Sequence, residues 1–159
     1  MLHLIHLALL LVSFATARRI HPANNTAWCI HALAVRPVSG TQLGVEPCSG
    51  SFRQEWNFFG SSSILQLKNM NLCAAPSAER NGARVYLRHC PENRHEWGAI
   101  TWHPDGGLRL SYANTNFCLD NENGRLGLHN PVQIWNCYEG DVQNWGFTGV
   151  NGLLPDWQP

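Results

Sequence analysis

The sequence predicts an all-β domain built as a closed body of three repeats of about 44 residues, and three observations carry that prediction. Its 159 residues include 14 Gly, 9 Pro and 7 Trp, a composition that supplies turns between short strands and that long helices avoid. Six cysteines fall into three ordered pairs, Cys29 and Cys48, Cys73 and Cys90, Cys118 and Cys137, separated by 19, 17 and 19 residues. A Trp-containing motif follows each pair, so the whole pattern repeats in step with the cysteines. Charged residues make up only 14%, with Lys+Arg and Asp+Glu balanced at 11 each, which excludes a disordered polyelectrolyte and a nucleic-acid binder driven by electrostatics.

The chain opens on an apolar run centred on Leu7 to Val12, followed by the small-residue sequence Ala15-Thr16-Ala17. An apolar stretch ending in A-x-A reads as a signal peptide over residues 1–17, so the protein is expected to be secreted. The alternative, a membrane anchor, needs about 20 apolar residues, and His3 and His6 interrupt a run that is already shorter. Membrane insertion is therefore not expected. Arg18-Arg19 also reads as a dibasic processing site, and either cleavage leaves the protein exported.

In an exported chain of this size six cysteines suggest disulfides. Of the 15 possible connectivities, repetition favours one bridge inside each repeat, because equivalent units place equivalent pairs at equivalent distances. Each such bridge closes a loop short enough to contribute about 3 kcal/mol. Zinc is disfavoured: no C-x-x-C occurs, and the cysteine spacing does not match structural zinc sites. No metal or cofactor is expected.

The repeats span about 20–62, 63–106 and 107–150, within a single domain over 18–159. The first opens on a strand at Ile20, turns through Asn24-Asn25-Thr26, enters a strand at Cys29, passes Cys48 and ends on Gln54-Glu55-Trp56. The second runs from Ile64 through Asn69-Met70-Asn71 to Cys73, then Cys90 and His95-Glu96-Trp97. The third runs from Leu108 through Asn114-Thr115-Asn116 to Cys118, then Cys137 and Gln143-Asn144-Trp145. Each unit reads as strand, Asn turn, cysteine strand, loop, second cysteine strand, turn and Trp strand. Three units in a solenoid would leave large open ends, whereas three four-strand units suit a closed body that avoids edge strands. Trp56, Trp97 and Trp145, a large ring at one position of every unit, are then expected in the core.

Three Gln-x-Trp-like motifs in register with six cysteines resemble the ricin B-type lectin family, whose fold is the β-trefoil. The resemblance covers Ile20 to Thr148 and is most specific in the third unit, through Phe117-Cys118-Leu119-Asp120, Pro131-Val132-Gln133-Ile134-Trp135-Asn136-Cys137 and Gln143-Asn144-Trp145. It implies a shallow galactose-type pocket that each unit keeps or lacks. In the third unit it implies Asp120 as the acceptor for sugar hydroxyls, Trp135 as an aromatic platform, Gln133 as a flanking polar group and Gln143 as the group that orients Asp120. Val142 departs from the pattern, because it stands where binders of this family carry an Asn. A second reading of Asp120 stays open, as the first residue of a polar turn, Asp120-Asn121-Glu122-Asn123-Gly124. The first unit offers His31 and Glu46 at the matching places and the second Ala75 and Arg88, so neither combines an acid with a platform.

No nucleophile elbow, H-E-x-x-H, Walker or dinucleotide-binding sequence is present, and the carboxylates on polar turns offer no environment that would split their pKa values for glycoside hydrolysis. A non-enzymatic secreted lectin for galactose- or N-acetylgalactosamine-type glycans is therefore expected, and any catalytic partner is expected on a separate chain. The alternative is a β-trefoil without sugar binding that recognises a protein, as a protease inhibitor or host-interaction factor. Asn24-Asn25-Thr26 is an N-glycosylation sequon, placing a modification at Asn24 in a eukaryotic secretory route.

Overall fold

The computed structural model describes residues 17–57, 64–92, 96–102, 108–113 and 115–149. Residues 1–16 of the expected leader, His95 of the second motif and Asn114 of the third Asn turn lie outside the described residues. Among the described residues twelve strands follow in order. The first unit contributes β1 (Arg18–Pro22), β2 (Trp28–Ala32), β3 (Leu43–Pro47) and β4 (Trp56–Asn57). The second contributes β5 (Gln66–Leu67), β6 (Leu72–Pro76), β7 (Ala83–His89) and β8 (Trp97–Trp102). The third contributes β9 (Leu108–Tyr112), β10 (Phe117–Asn121), β11 (Asn130–Asn136) and β12 (Trp145–Gly149). All pairings are antiparallel. The first and last strands of the units join along the path β8–β9–β12–β1–β4–β5, while the inner two strands of each unit form hairpins, β2–β3, β6–β7 and β10–β11.

Alternation along these hairpins divides inside from outside, since successive side chains of a strand point to opposite faces. Ile30, Ala32, Leu43 and Val45 from the first hairpin, Leu72, Ala74, Val85 and Leu87 from the second, and Leu119, Val132 and Ile134 from the third enter one core cluster. Trp56, Trp97 and Trp145 join it, each fully buried. A buried indole needs a partner for its N–H, and all three find the same one. Trp56 Nε1 donates to the Ile30 carbonyl at 3.2 Å, Trp97 Nε1 to Ala74 at 2.9 Å and Trp145 Nε1 to Leu119 at 3.0 Å. In each case the acceptor is the residue directly after the first cysteine of its unit.

The three disulfides lie within the units, Cys29–Cys48, Cys73–Cys90 and Cys118–Cys137, with Cα–Cα distances of 5.1, 4.9 and 5.0 Å. The β-trefoil and its one bridge per repeat are therefore as the sequence predicts. Three local details differ. Cys48, Cys90 and Cys137 sit one residue beyond the ends of β3, β7 and β11, where the bridge closes the open mouth of the hairpin. Gln54 and Gln143 lie on single 3-10 turns, Phe52–Gln54 and Asp141–Gln143, because the tight turn buries the amide beneath the hairpin before the Trp starts its strand. Ile64 precedes β5 instead of starting it, although it is buried.

Between units the hairpin loops are handed on in a ring. The Gly40 N–H donates to the Leu87 carbonyl at 2.7 Å, placing the first unit's loop on β7. The Gly82 N–H donates to the Ile134 carbonyl at 2.9 Å, placing the second unit's loop on β11. Asn130 pairs with Val45, placing the third unit's loop on β3. The three loop residues at these junctions are left-handed: Gly40 at φ 92°, Gly82 at φ 78° and His129 at φ 62°.

Replacing Trp145 or Trp56 by Phe should destabilise the domain by about 1–3 kcal/mol, the cost of leaving the Leu119 or Ile30 carbonyl buried without a donor, before any cavity contribution. Urea unfolding of the two variants measures this, and an unchanged midpoint in either would contradict the role given to the indole N–H.

Candidate functional site

The third hairpin decides which side chains meet. In the β10–β11 register Asp120 stands opposite Gln133 and Cys118 opposite Trp135, while Leu119 opposes Ile134. Leu119 and Ile134 belong to the core, so Asp120, Gln133 and Trp135 share the outer face of the hairpin. Gln143 joins them from the 3-10 turn that precedes β12.

The Asp120 carboxylate is held from both sides. Gln133 Nε2 donates to Oδ1 at 2.9 Å and Gln143 Nε2 donates to Oδ2 at 3.2 Å. Gln143 Nε2 also donates to the Asn136 carbonyl at 3.1 Å, and Gln143 Oε1 accepts from the Tyr138 N–H at 3.1 Å. One amide thus ties the carboxylate to the end of β11. Burial pushes the Asp120 pKa above its ordinary value, the two amide donors oppose that shift, and the charge of Glu122 adds to it. The turn that follows is stitched by Asn121, whose Nδ2 donates to the Arg125 carbonyl at 3.1 Å and whose Oδ1 accepts from Asn130 Nδ2 at 2.7 Å. Asp120 itself points to the glutamines.

Trp135 is 41% exposed, in contrast to the buried indoles of the core. Its ring rests on the second unit's loop, where a Cβ at position 82 would lie 3.6 Å from Trp135 Cζ3. Glycine suits that place because it accepts the left-handed φ of 78°; a Cβ there would only touch the ring at ordinary van der Waals distance. The same loop is fastened by Asn81 Oδ1, which accepts from the Asn136 N–H at 2.7 Å. On the other side Arg84, opposite Gln133 in the β11–β7 pairing, forms an ion pair with Glu122 at 2.7 Å. Val142 leans on the Asn121 turn, its Cγ1 2.8 Å from where a Cβ at Gly124 would stand.

A ricin-type β-trefoil lectin domain model matches residues 16–145. The chain belongs to that family. Among solved structures it is similar to a mosquitocidal holotoxin, at 18% identity and a TM-score of 0.72 over 84% of this chain. The match spans 16% of that toxin's length. It is also similar to a ricin B-like lectin of Macrolepiota procera, solved in complex with lactose, at 20% identity and a TM-score of 0.70, covering 86% of this chain and 96% of that one. The C-half of an earthworm R-type lectin, in complex with GalNAc, shares 12% identity and a TM-score of 0.66, covering 84% and 98% of the two chains. No curated protein matches the sequence.

Within this ricin-type domain the other two units build different pockets at the same register. In the first, His31 takes the place of Asp120, and Gln54 Nε2 donates to His31 Nδ1 at 3.0 Å and to the Pro47 carbonyl at 2.8 Å. Burial, and then the nearby Arg53, hold the His31 pKa below its ordinary value. Glu46 replaces the platform and is taken up by the third unit's loop, accepting from the His129 N–H at 2.8 Å and contacting His129 Nδ1 at 2.6 Å. In the second, Ala75 offers no acceptor and Arg88 is paired with Glu96. Among the described residues only the third unit brings a buried carboxylate and an exposed indole onto one face. Among the described residues no group of His, Cys, Asp or Glu is arranged to hold a metal ion and no helix is long and apolar enough to cross a membrane.

One residue of this site escapes the sequence reading. Tyr138 follows Cys137 directly, is 45% exposed and stands close enough to Asp120 for that charge, after burial, to push its phenol pKa up. The available signal is that the matching residues after the second cysteine are Ser49 and Pro91 in the other units, so the ring is peculiar to the third.

Gln143→Ala should leave the Asn136 carbonyl, the Tyr138 N–H and one carboxylate oxygen without their partner, lowering stability by about 1–3 kcal/mol. Gln54→Ala should do the same in the first unit, where Gln54 holds His31 and the Pro47 carbonyl and accepts from the Ser49 N–H at 2.8 Å. Thermal or urea unfolding of both variants checks the equivalence, and a loss in one alone would show that the two glutamines do different work.

Proposed function

We propose that the protein is a secreted carbohydrate-binding protein that takes galactose- or N-acetylgalactosamine-type sugars at a single site in its third unit. The observation that carries the reading is the pairing of Asp120, fixed by two amide donors, with the half-exposed Trp135 on the same face. An ionised carboxylate has about four acceptor positions; the two glutamines occupy two, leaving others for sugar hydroxyls in charge-assisted bonds. The indole face covers the apolar C–H side of a pyranose, while Gln133 lies beside the carboxylate to complete the polar edge. Lactose and GalNAc, the sugars bound by two of the similar lectins, both present a galactose-configured ring, which supports the sugar class.

Export is supported by three bridges in a chain of this size, and a mature N-terminus at Arg18 would confirm it. Asn24 is exposed in the turn after β1, a position open to glycosylation. With one competent pocket, the monomer has no second site to make binding multivalent.

Asp120→Ala should weaken retention on immobilised lactose by about 10- to 100-fold, the loss of hydrogen bonds to a charged acceptor, and Trp135→Ala should abolish it, whereas Arg88→Ala should change nothing. Retention by Asp120→Ala equal to the parent, with the fold intact, would overturn the site. If the parent itself is not retained on any galactose-type sugar, a protein partner becomes the better reading.

Acid should also weaken binding. Protonation turns an acceptor oxygen of Asp120 into a donor, and because burial raises its pKa, retention should fade at a pH above the titration of an ordinary aspartate and be steady at higher pH. A pH series on the same column checks this. The purified monomer should bind such glycans without agglutinating cells, and Val142→Asn should tighten binding without creating agglutination. Agglutination by protein shown to be monomeric would reveal a site in another unit.

A further inference from the structure

Tyr138 is the feature of the third unit that the single-sugar pocket does not use. Its backbone N–H is bonded to Gln143 Oε1, the same amide that holds Asp120. Its carbonyl accepts from the Gly140 N–H at 3.1 Å, and the Gly140 carbonyl accepts from the Gln143 N–H at 3.1 Å, so 138–143 is a closed turn. The phenol ring lies down on that turn: a Cβ at Gly140 would collide with Tyr138 Cε2 and stand 3.0 Å from Cδ2. Glycine at 140 thus gives the ring a seat, and nearly half of Tyr138 stays exposed. The Asp120 carboxylate lies between two segments, β11 with Gln133 and Trp135, and the 138–143 turn with Gln143 and Tyr138. Each segment therefore presents one half-exposed aromatic ring beside the same acceptor.

We propose that Tyr138 forms a second subsite, so that the third unit binds a galactose-terminated disaccharide, its terminal sugar on Trp135 and its next sugar against Tyr138. The inference rests on the sugar-binding reading above and extends it from one ring to two. An aromatic ring held on a rigid turn offers contact area at little conformational cost, and it recovers here part of what is missing at Val142. Stacking of this kind adds about 3- to 10-fold in affinity.

Titration calorimetry of the full chain with methyl β-galactoside and with lactose tests the proposal. The parent should bind lactose about 3- to 10-fold more tightly than the monosaccharide. Tyr138→Ala should lower lactose affinity more than monosaccharide affinity and bring the ratio close to one, Tyr138→Phe should keep most of the ratio, and Phe52→Ala, an exposed ring on the first unit, should leave both constants as they are. Equal affinities in the parent, or a ratio that survives Tyr138→Ala, would overturn the second subsite while leaving the Trp135 pocket standing. Failure of the parent to bind either sugar would overturn both.

Discussion

Three indole N–H groups, each bonded to the carbonyl that follows a cysteine, hold the body together. The bond joins the last strand of each unit to its hairpin and does so in the dry core, where an unpaired carbonyl is costly. It also fixes the depth at which the chain emerges before the Trp. Gln54 and Gln143 sit two residues earlier, and that fixed depth brings their amides under the hairpin end, where they bond the Pro47 and Asn136 carbonyls. The Asp120 carboxylate inherits its geometry from this packing, since Gln143 reaches it from the same position.

Threefold architecture and function pull in different directions. The hairpins keep one register, yet the equivalent outer position of β2, β6 and β10 holds His31, Ala75 and Asp120 in turn. Asp120 buried as an acceptor is the least favourable of these for folding, because burial disfavours its ionised form. The two glutamines offset part of that penalty, and among the described residues the third unit is the one where a carboxylate at this position meets two such donors.

Much of this was legible in the sequence because it recurs. The cysteine spacing gives the bridges, the Trp motif gives the core, and Asp120 with Trp135 stands out against the units that lack the pair. What was not legible depends on contacts between units or on a single residue. The left-handed junctions at Gly40, Gly82 and His129 escape a pattern search because the third is a histidine in a loop of different composition. That the glutamine grips the carboxylate and a backbone N–H together follows from the 3-10 turn, which no periodicity announces. Tyr138 reads as an isolated surface aromatic until the ring is seen lying on Gly140.

The ring of loops makes the pocket a joint possession of neighbours. Trp135 belongs to the third unit, but the loop beside its ring, at Gly82, belongs to the second. A unit copied intact to another place in the chain would rest on the loop its new neighbour supplies, Gly40 at the second unit and His129 at the first. At the first unit the corresponding residue is His129, already engaged with Glu46, so grafting an acid at 31 and an indole at 46 would still meet an imidazole where the ring must lie. Building such a pocket at the first unit therefore requires coordinated change in two repeats at once.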